Sequence, residues 1–88
     1  MKEKELERIL KSLANKRRIA IVHFLKNQKE STVSGIAEKI RLSFRATSKH
    51  LGVLAATDIV EKDQRSSQVF YSLSANMPEL AHRMILLL

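Results

Sequence analysis

Apolar positions along this chain form four helical repeats, then a change of period, then one more helical repeat. In residues 2–13, Leu6, Ile9, Leu10 and Leu13 recur at i, i+3, i+4 and i+7, leaving Glu3, Glu7, Arg8 and Lys11 outside; this is the spacing of an amphipathic helix. Ala14-Asn15 reads as a break, with Asn15 suited to cap the next helix. Residues 16–26 then form a helix whose centre, IAIVHFL, is apolar almost all round. That pattern predicts a helix buried in the middle of the fold, with His23 a hydrogen-bonded core histidine. Residues 27–30 read as a polar turn. Ser31 or Thr32 caps a third helix over residues 33–40, whose apolar face is Val33, Ile36, Ala37 and Ile40. After a turn at Arg41-Leu42, Ser43 caps a fourth helix reaching about residue 57. Thr47, Leu51, Leu54 and Ala55 point inward on it, and Arg45, Ser48, Lys49 and Gly52 fall on the other side.

After Asp58 the period drops to two. Residues 59–62 and 68–73 read as short strands, the second alternating Val69, Tyr71 and Leu73 with Phe70 and Ser72. The polar DQRSS between them makes the pair a β-hairpin. A last helix starts near Asn76 or Met77, with Pro78 in its first turn and a stripe of Met77, Leu80, Ala81, Met84 and Leu87 or Leu88. The expected fold is mainly α with a small β-hairpin. A tri-helical core followed by a hairpin wing is the winged helix-turn-helix arrangement, here a single domain over residues 1–88.

Charge sharpens the picture. Among 88 residues, 16 Lys and Arg face 9 Asp and Glu, a formal charge of +7 and a pI of about 10.2. That excess favours a polyanion, either nucleic acid or an anionic membrane surface. The 44% apolar share suits a folded domain. The chain is small enough for dimerisation to be a natural source of added stability. It has no Cys, which removes disulfides, thiolate metal sites and thiol switches. MKEKELER is not a signal-peptide pattern, and the apolar run 84–88 is too short to span a bilayer, so a soluble cytoplasmic protein with no membrane partner is expected.

The candidate chemistry lies on the third and fourth helices. Residues 39–50 hold Lys39, Arg41, Arg45 and Lys49 and no carboxylate, with Ser43, Thr47 and Ser48 between them. A helix-turn-helix places the start of its second helix in the major groove of double-stranded DNA, where small polar side chains and spaced cations are needed. Arg45 and Lys49 share a face one turn apart; Arg45 suits a guanine edge, and Lys49 a base or a phosphate. Phe44 either meets a thymine methyl or turns partly inward, with partial burial the favoured expectation. His50 either touches phosphate or packs. Lys62 and Arg65 flank the hairpin tip, where Arg65 suits the minor groove, although Glu61 and Asp63 dilute the charge. Lys16-Arg17-Arg18 opens the second helix against its dipole and reads as a solvated run with Arg18 partly packed.

No Gly-rich phosphate loop and no His–Ser–Asp set occur, so neither an enzyme nor a cofactor is expected. Glu79 and His82, at i and i+3, are the one candidate metal-ligand pair. Such pairs are common on surface helices, and no metal site is assigned to them. The apolar stripes of the first and last helices predict a homodimer through Leu6, Ile9, Leu10, Leu80, Met84 and Leu87, which would set two reading helices on a two-fold axis. A winged-helix module that binds another protein without reading DNA is the alternative.

Three segments resemble the ArsR-type winged-helix repressors of bacteria and archaea. LKSLANKRRIAIVHFL is similar to that family's opening LKxLAxxxRxxILxxL. TVSGIAEKIRLSFRATSKHLGVLAATDIVEKDQ is similar to its TVxELAxxLxLSxSTVSxHLxxLxxAGLV core, and VFYSL to the wing's returning strand VYYxL. The resemblance covers residues 10–73 and implies a homodimeric transcriptional repressor with dimer contacts from the first and last helices. By position it implies Ser43, Phe44, Arg45, Ser48 and Lys49 at the major groove, His50 near the backbone and Arg65 in the wing. The departures are SGIAEKI, without Cys, where the family carries a thiolate sensor motif; Glu79 and His82 in place of a fuller last-helix ligand pattern; and Ala56-Thr57-Asp58 where Ala-Gly is common. DNA binding carries over from the family and metal sensing does not; the sequence does not specify an inducer, metal or small molecule.

Overall fold

The computed structural model describes residues 1–88. Five helices and three strands follow in the order α1 (Glu3–Leu13), α2 (Lys16–Gln28), β1 (Glu30–Thr32), α3 (Val33–Ile40), α4 (Phe44–Ala56), β2 (Val60–Arg65), β3 (Gln68–Leu73) and α5 (Glu79–Ile85). The expected mainly helical winged helix-turn-helix is present, with a third strand in addition. β1 pairs antiparallel with β3, and β3 with β2, so the returning strand is central in the order β1-β3-β2.

Polar side chains start the central helices. Asn15 Oδ1 accepts from the backbone N–H groups of Arg17 and Arg18, Thr32 Oγ1 from Gly35 and Ser43 Oγ from Ala46. Each such cap stabilises its helix by about 1 kcal/mol. α3 ends on Arg41 in the left-handed region, φ 56°, while Leu42 N–H donates back to Ala37 O at 3.0 Å. That six-to-one bond closes the turn tightly, so α4 departs after only Arg41, Leu42 and Ser43. At the start of α3, a Cβ on Gly35 would meet Ser31 Oγ, so a larger residue there needs that hydroxyl to rotate away.

The five helices and β2 contribute to one core, with Tyr71 and Leu73 of β3 packed against it. Ile9 and Leu13 of α1 meet Ile21, Val22 and Leu25 of α2, Ile36 of α3, Leu51 and Leu54 of α4, Val60 of β2, and Ala81 and Ile85 of α5. Polar contacts stitch the outside. Arg8 Nη2 donates to Ala56 O at 2.9 Å, closing the end of α4, and Thr57 Oγ1 reaches Ser12 Oγ at 3.3 Å.

Several expectations are corrected. Ile9 is only 2% exposed within its own chain, so it belongs to the core and not to a subunit interface. The α1 stripe is divided: Ile9 and Leu13 face inward, while Leu6 and Leu10 remain outside. His23 is exposed, because the inward face of α2 is taken by Ile21, Val22 and Leu25. Phe44 is 59% exposed and not partly buried. α5 begins at Glu79 with Pro78 as its N-cap, since the residue before a proline is kept from the helical region. β2 runs on through Asp63, Gln64 and Arg65, so the turn is Ser66-Ser67 alone, with Ser66 at φ 54°.

Candidate nucleic-acid interface

The cap at Ser43 fixes where α4 begins, and the helical period then sorts its side chains. Thr47, Leu51 and Leu54 are buried and hold the helix against the core. Phe44, Arg45, Ser48, Lys49 and Gly52 are exposed. Arg45 and Lys49 therefore project together from the first half of α4, with Ser48 beside them and no carboxylate between residues 39 and 57. The Ser43 hydroxyl spends a lone pair on its cap, leaving its O–H free to donate. Thr47 carries the one exception to polar satisfaction: its Oγ1 is buried without a hydrogen-bond partner.

A cleft of about 440 Å³ separates the start of α4 from the wing, lined by Phe44, Lys62, Ser67, Gln68 and Tyr71 among others. Strand alternation decides which wing cation faces it. Lys62 pairs across from Tyr71 and lines the cleft, whereas Arg65, three residues on, lies on the opposite face with Asp63 and Phe70. There Arg65 is tied down. Its Nη1 and Nη2 donate to Glu30 at 2.7 Å each and its Nε to Asp63 at 2.9 Å, while the guanidinium lies 4.6 Å from the Phe70 ring centre. These bonds hold the Glu30 carboxyl below its ordinary range, the hydrogen bond from Arg65 being the main cause. They raise the Arg65 pKa further. Arg65 thus spans from β2 over the central strand to β1, bracing the wing with the charge expected for DNA.

His50 lies half-buried on the flank of α4. Arg18 Nη1 sits 3.0 Å from His50 Nδ1. Since guanidinium only donates, Nδ1 is the acceptor and the imidazole proton sits on Nε2. Burial, then the charges of Arg18, Arg17 and Lys49, push the His50 pKa below its ordinary value. The same Arg18 donates from Nε to Ser12 O at 2.6 Å and from Nη2 to Lys11 O at 3.2 Å, closing the C-terminus of α1. Its neighbour Arg17 donates to Ile40 O at 3.1 Å, at the C-terminus of α3. These cations oppose the dipole of the helix they start but match the negative ends of two others. Arg18 is half-buried, as its partial packing predicts, whereas Arg17, expected to be solvated, is half-buried too; three cations placed against their own helix dipole were the signal that they serve another element.

At the other end, Glu79 Oε1 accepts from Arg83 at 2.9 Å, and both Glu79 and His82 are exposed. No group of three or more His, Cys, Asp or Glu side chains is placed to hold a metal. Leu6, Leu10, Ile19, Leu86, Leu87 and Leu88 are exposed, and Leu80 and Met84 half-buried. No helix is long and apolar enough to cross a membrane.

The sequence model of the family described as "Bacterial regulatory protein, arsR family" matches residues 15–62, from the cap of α2 into β2. The chain belongs to the ArsR family. Solved structures agree over nearly the full length. HlyU from Vibrio cholerae is 30% identical and superposes with a TM-score of 0.83, over 99% of this chain and 92% of that one. The homodimeric winged helix-turn-helix DNA-binding domain of Mb0332 from Mycobacterium bovis is 27% identical, with a TM-score of 0.81 over 96% of this chain and 74% of that one. The transcriptional repressor BigR from Xylella fastidiosa is 27% identical, with a TM-score of 0.79 over 96% and 82%. No curated protein sequence matches the chain. As an ArsR-family chain it is a regulatory protein of winged helix-turn-helix fold, and the exposed face of α4 is the second helix of that motif.

Proposed function

We propose that the chain is a homodimeric, sequence-specific repressor that binds double-stranded DNA and inserts the start of α4 in the major groove. The observation that carries this reading is the joint exposure of Phe44, Arg45, Ser48 and Lys49 on one face, within a stretch that has no carboxylate from residue 39 to residue 57. Arg45 reads a base edge, Lys49 a base or phosphate, and Phe44, standing clear of the core, offers its ring to a thymine methyl. Ser43 and Ser48 donate to the backbone on either side. His50 is supported as a flanking group through Arg18, while Arg65 supports the wing and leaves the cleft-facing role to Lys62.

A dimer is supported by the exposed leucines of α1 and of the segment after α5, and by the homodimeric Mb0332 domain. Repression is supported by the family and by BigR. In that dimer Leu6, Leu10, Leu80, Met84 and Leu87 remain candidates for the interface, without Ile9. The test is fluorescence anisotropy on an operator selected from random DNA. Arg45→Ala should cost about 1–3 kcal/mol on that operator and relax preference at one base position. Unchanged affinity and unchanged preference would refute the assignment of α4 as the reading helix.

A further inference from the structure

The cations of this chain are gathered in two stretches that contain no acid. Residues 8–29 hold Arg8, Lys11, Lys16, Arg17, Arg18, Lys26 and Lys29; residues 39–57 hold Lys39, Arg41, Arg45 and Lys49. Those 7 and 4 make 11 of the chain's 16 Lys and Arg. The second stretch runs from the end of α3 into α4, whose Arg45 and Lys49 are the proposed reading residues. The fold brings the first against it at a groove between α2 and the end of α3, with a volume of about 490 Å³. Lys16 and Arg17 line the groove from α2 and Lys39 from α3, over an apolar floor of Ala20, Phe24 and Ile40. His23 and the amide of Asn27 extend it along α2, and none of its lining residues is acidic.

Three features distinguish this groove from a solvated basic surface. Lys16 and Lys39 are exposed and come from different helices, yet face one cavity. Neither takes part in a salt bridge, and no acidic side chain lines the groove to supply one. Arg17 is half-buried and anchored to Ile40 O, which fixes the back of the groove and joins it to the turn that launches α4. Cations converging on one concave site without a counter-ion raise the local potential and draw an anion to it.

We propose that the α2–α3 groove is a phosphate seat, held by Lys16 and Lys39 over the Arg17 anchor. The phosphate comes either from a DNA backbone flanking the major-groove contact or from a free phosphorylated small molecule. The proposal rests on the DNA-binding reading only for the first source. On that source, each protomer holds one more backbone phosphate beyond those met by α4 and the wing, so the footprint of the dimer is longer at both ends.

The experiment compares the wild-type chain with Lys16→Gln/Lys39→Gln, two exposed positions whose change leaves the core and the α4 face intact. Operator affinity is measured as a function of salt, and inorganic pyrophosphate is titrated against each protein by amide chemical shift. If the seat takes DNA phosphate, the double variant keeps its base preference, and the slope of log affinity against log salt becomes shallower by about two units, one phosphate per protomer. If it takes a free phosphorylated ligand, the slope is unchanged. Pyrophosphate then shifts the amides around Ala20, His23 and Lys39 in the wild type and not in the variant. An unchanged slope together with no saturable pyrophosphate shift overturns the proposal. Failure of the wild type to prefer any DNA would count against α4 as a reading head, while the pyrophosphate arm would still decide the groove.

Discussion

Replacing Arg18 with Met should destabilise the domain by about 2 kcal/mol while leaving its core packing in place. The methionine keeps an unbranched stem and removes the guanidinium. Two charged hydrogen bonds to the last carbonyls of α1 are lost, at 2.6 Å to Ser12 O and 3.2 Å to Lys11 O. Hydrogen bonds to charged groups contribute about 1.5–3 kcal/mol when well desolvated. These are half-exposed, so about 1 kcal/mol each is the appropriate figure. For a domain of this size, that corresponds to a fall in Tm of about 10 °C. His50 supplies a second readout. Its folded pKa lies below its ordinary value of 6.5, first through burial and then through Arg18. The unfolded chain therefore binds a proton more readily than the folded one. The stability tied to neutral His50 is complete above about pH 6.5 and declines as pH falls from there toward the folded value. Arg18→Met removes the nearest of the charges and leaves the burial, so the decline should become shallower without vanishing. Urea unfolding at fixed protein concentration, at pH 7.5 and at pH 5.5, measures both effects. A loss below about 0.5 kcal/mol at pH 7.5, where the charged bonds set the figure, would show that Arg18 is a solvated side chain. An unchanged pH dependence would show that it does not govern His50.

Other positions give independent checks. Thr47→Val should raise stability by about 1 kcal/mol, because the buried Oγ1 has no partner and a methyl fits the same space; a lower urea midpoint would mean that the hydroxyl is bonded after all. Gly52→Ala should stabilise α4 by about 0.5–1 kcal/mol, since nothing lies within 4 Å of the added Cβ, with thermal melting as the readout and any drop in Tm as the contrary result. Arg65→Gln should leave the salt slope of DNA binding as it is, because that charge is engaged by Glu30 and Asp63. A slope shallower by about one unit per protomer would instead return Arg65 to the DNA surface.

The parts of the fold readable in advance are those written in local pattern. α1, α2, α3 and α4 follow apolar periodicity and polar caps, and both starts and stops fall close to Asn15, Thr32, Ser43 and Arg41. β1 was not legible because Glu30–Thr32 is three polar residues long. It is a strand only because β3 passes beside it, pairing Glu30 with Ser72 and Thr32 with Phe70. The far half of β2 was hidden for the same reason: Asp63, Gln64 and Arg65 have no strand propensity of their own and are carried by pairing with Phe70, Val69 and Gln68. His23 and Ile9 show the limit of a helical stripe. Periodicity says that a face is apolar, not which neighbour covers it, and α2 had three better residues for its inward face. At the interface, Arg45, Ser48 and Lys49 were legible from spacing on α4. The tie of Arg65 to Glu30, that of Arg17 to Ile40 and that of Arg18 to His50 were not, because those partners lie 35, 23 and 32 residues away along the chain.

In the proposed dimer the α4 faces of two protomers read one duplex together. Selection of bound sites from random double-stranded DNA tests it directly. Two reading helices on a two-fold axis should enrich an inverted repeat whose half-site centres lie one helical turn apart, about 34 Å or 10 base pairs, or a whole multiple of it. A pool that shows no enriched sequence, or a single half-site without its inverted partner, would contradict it.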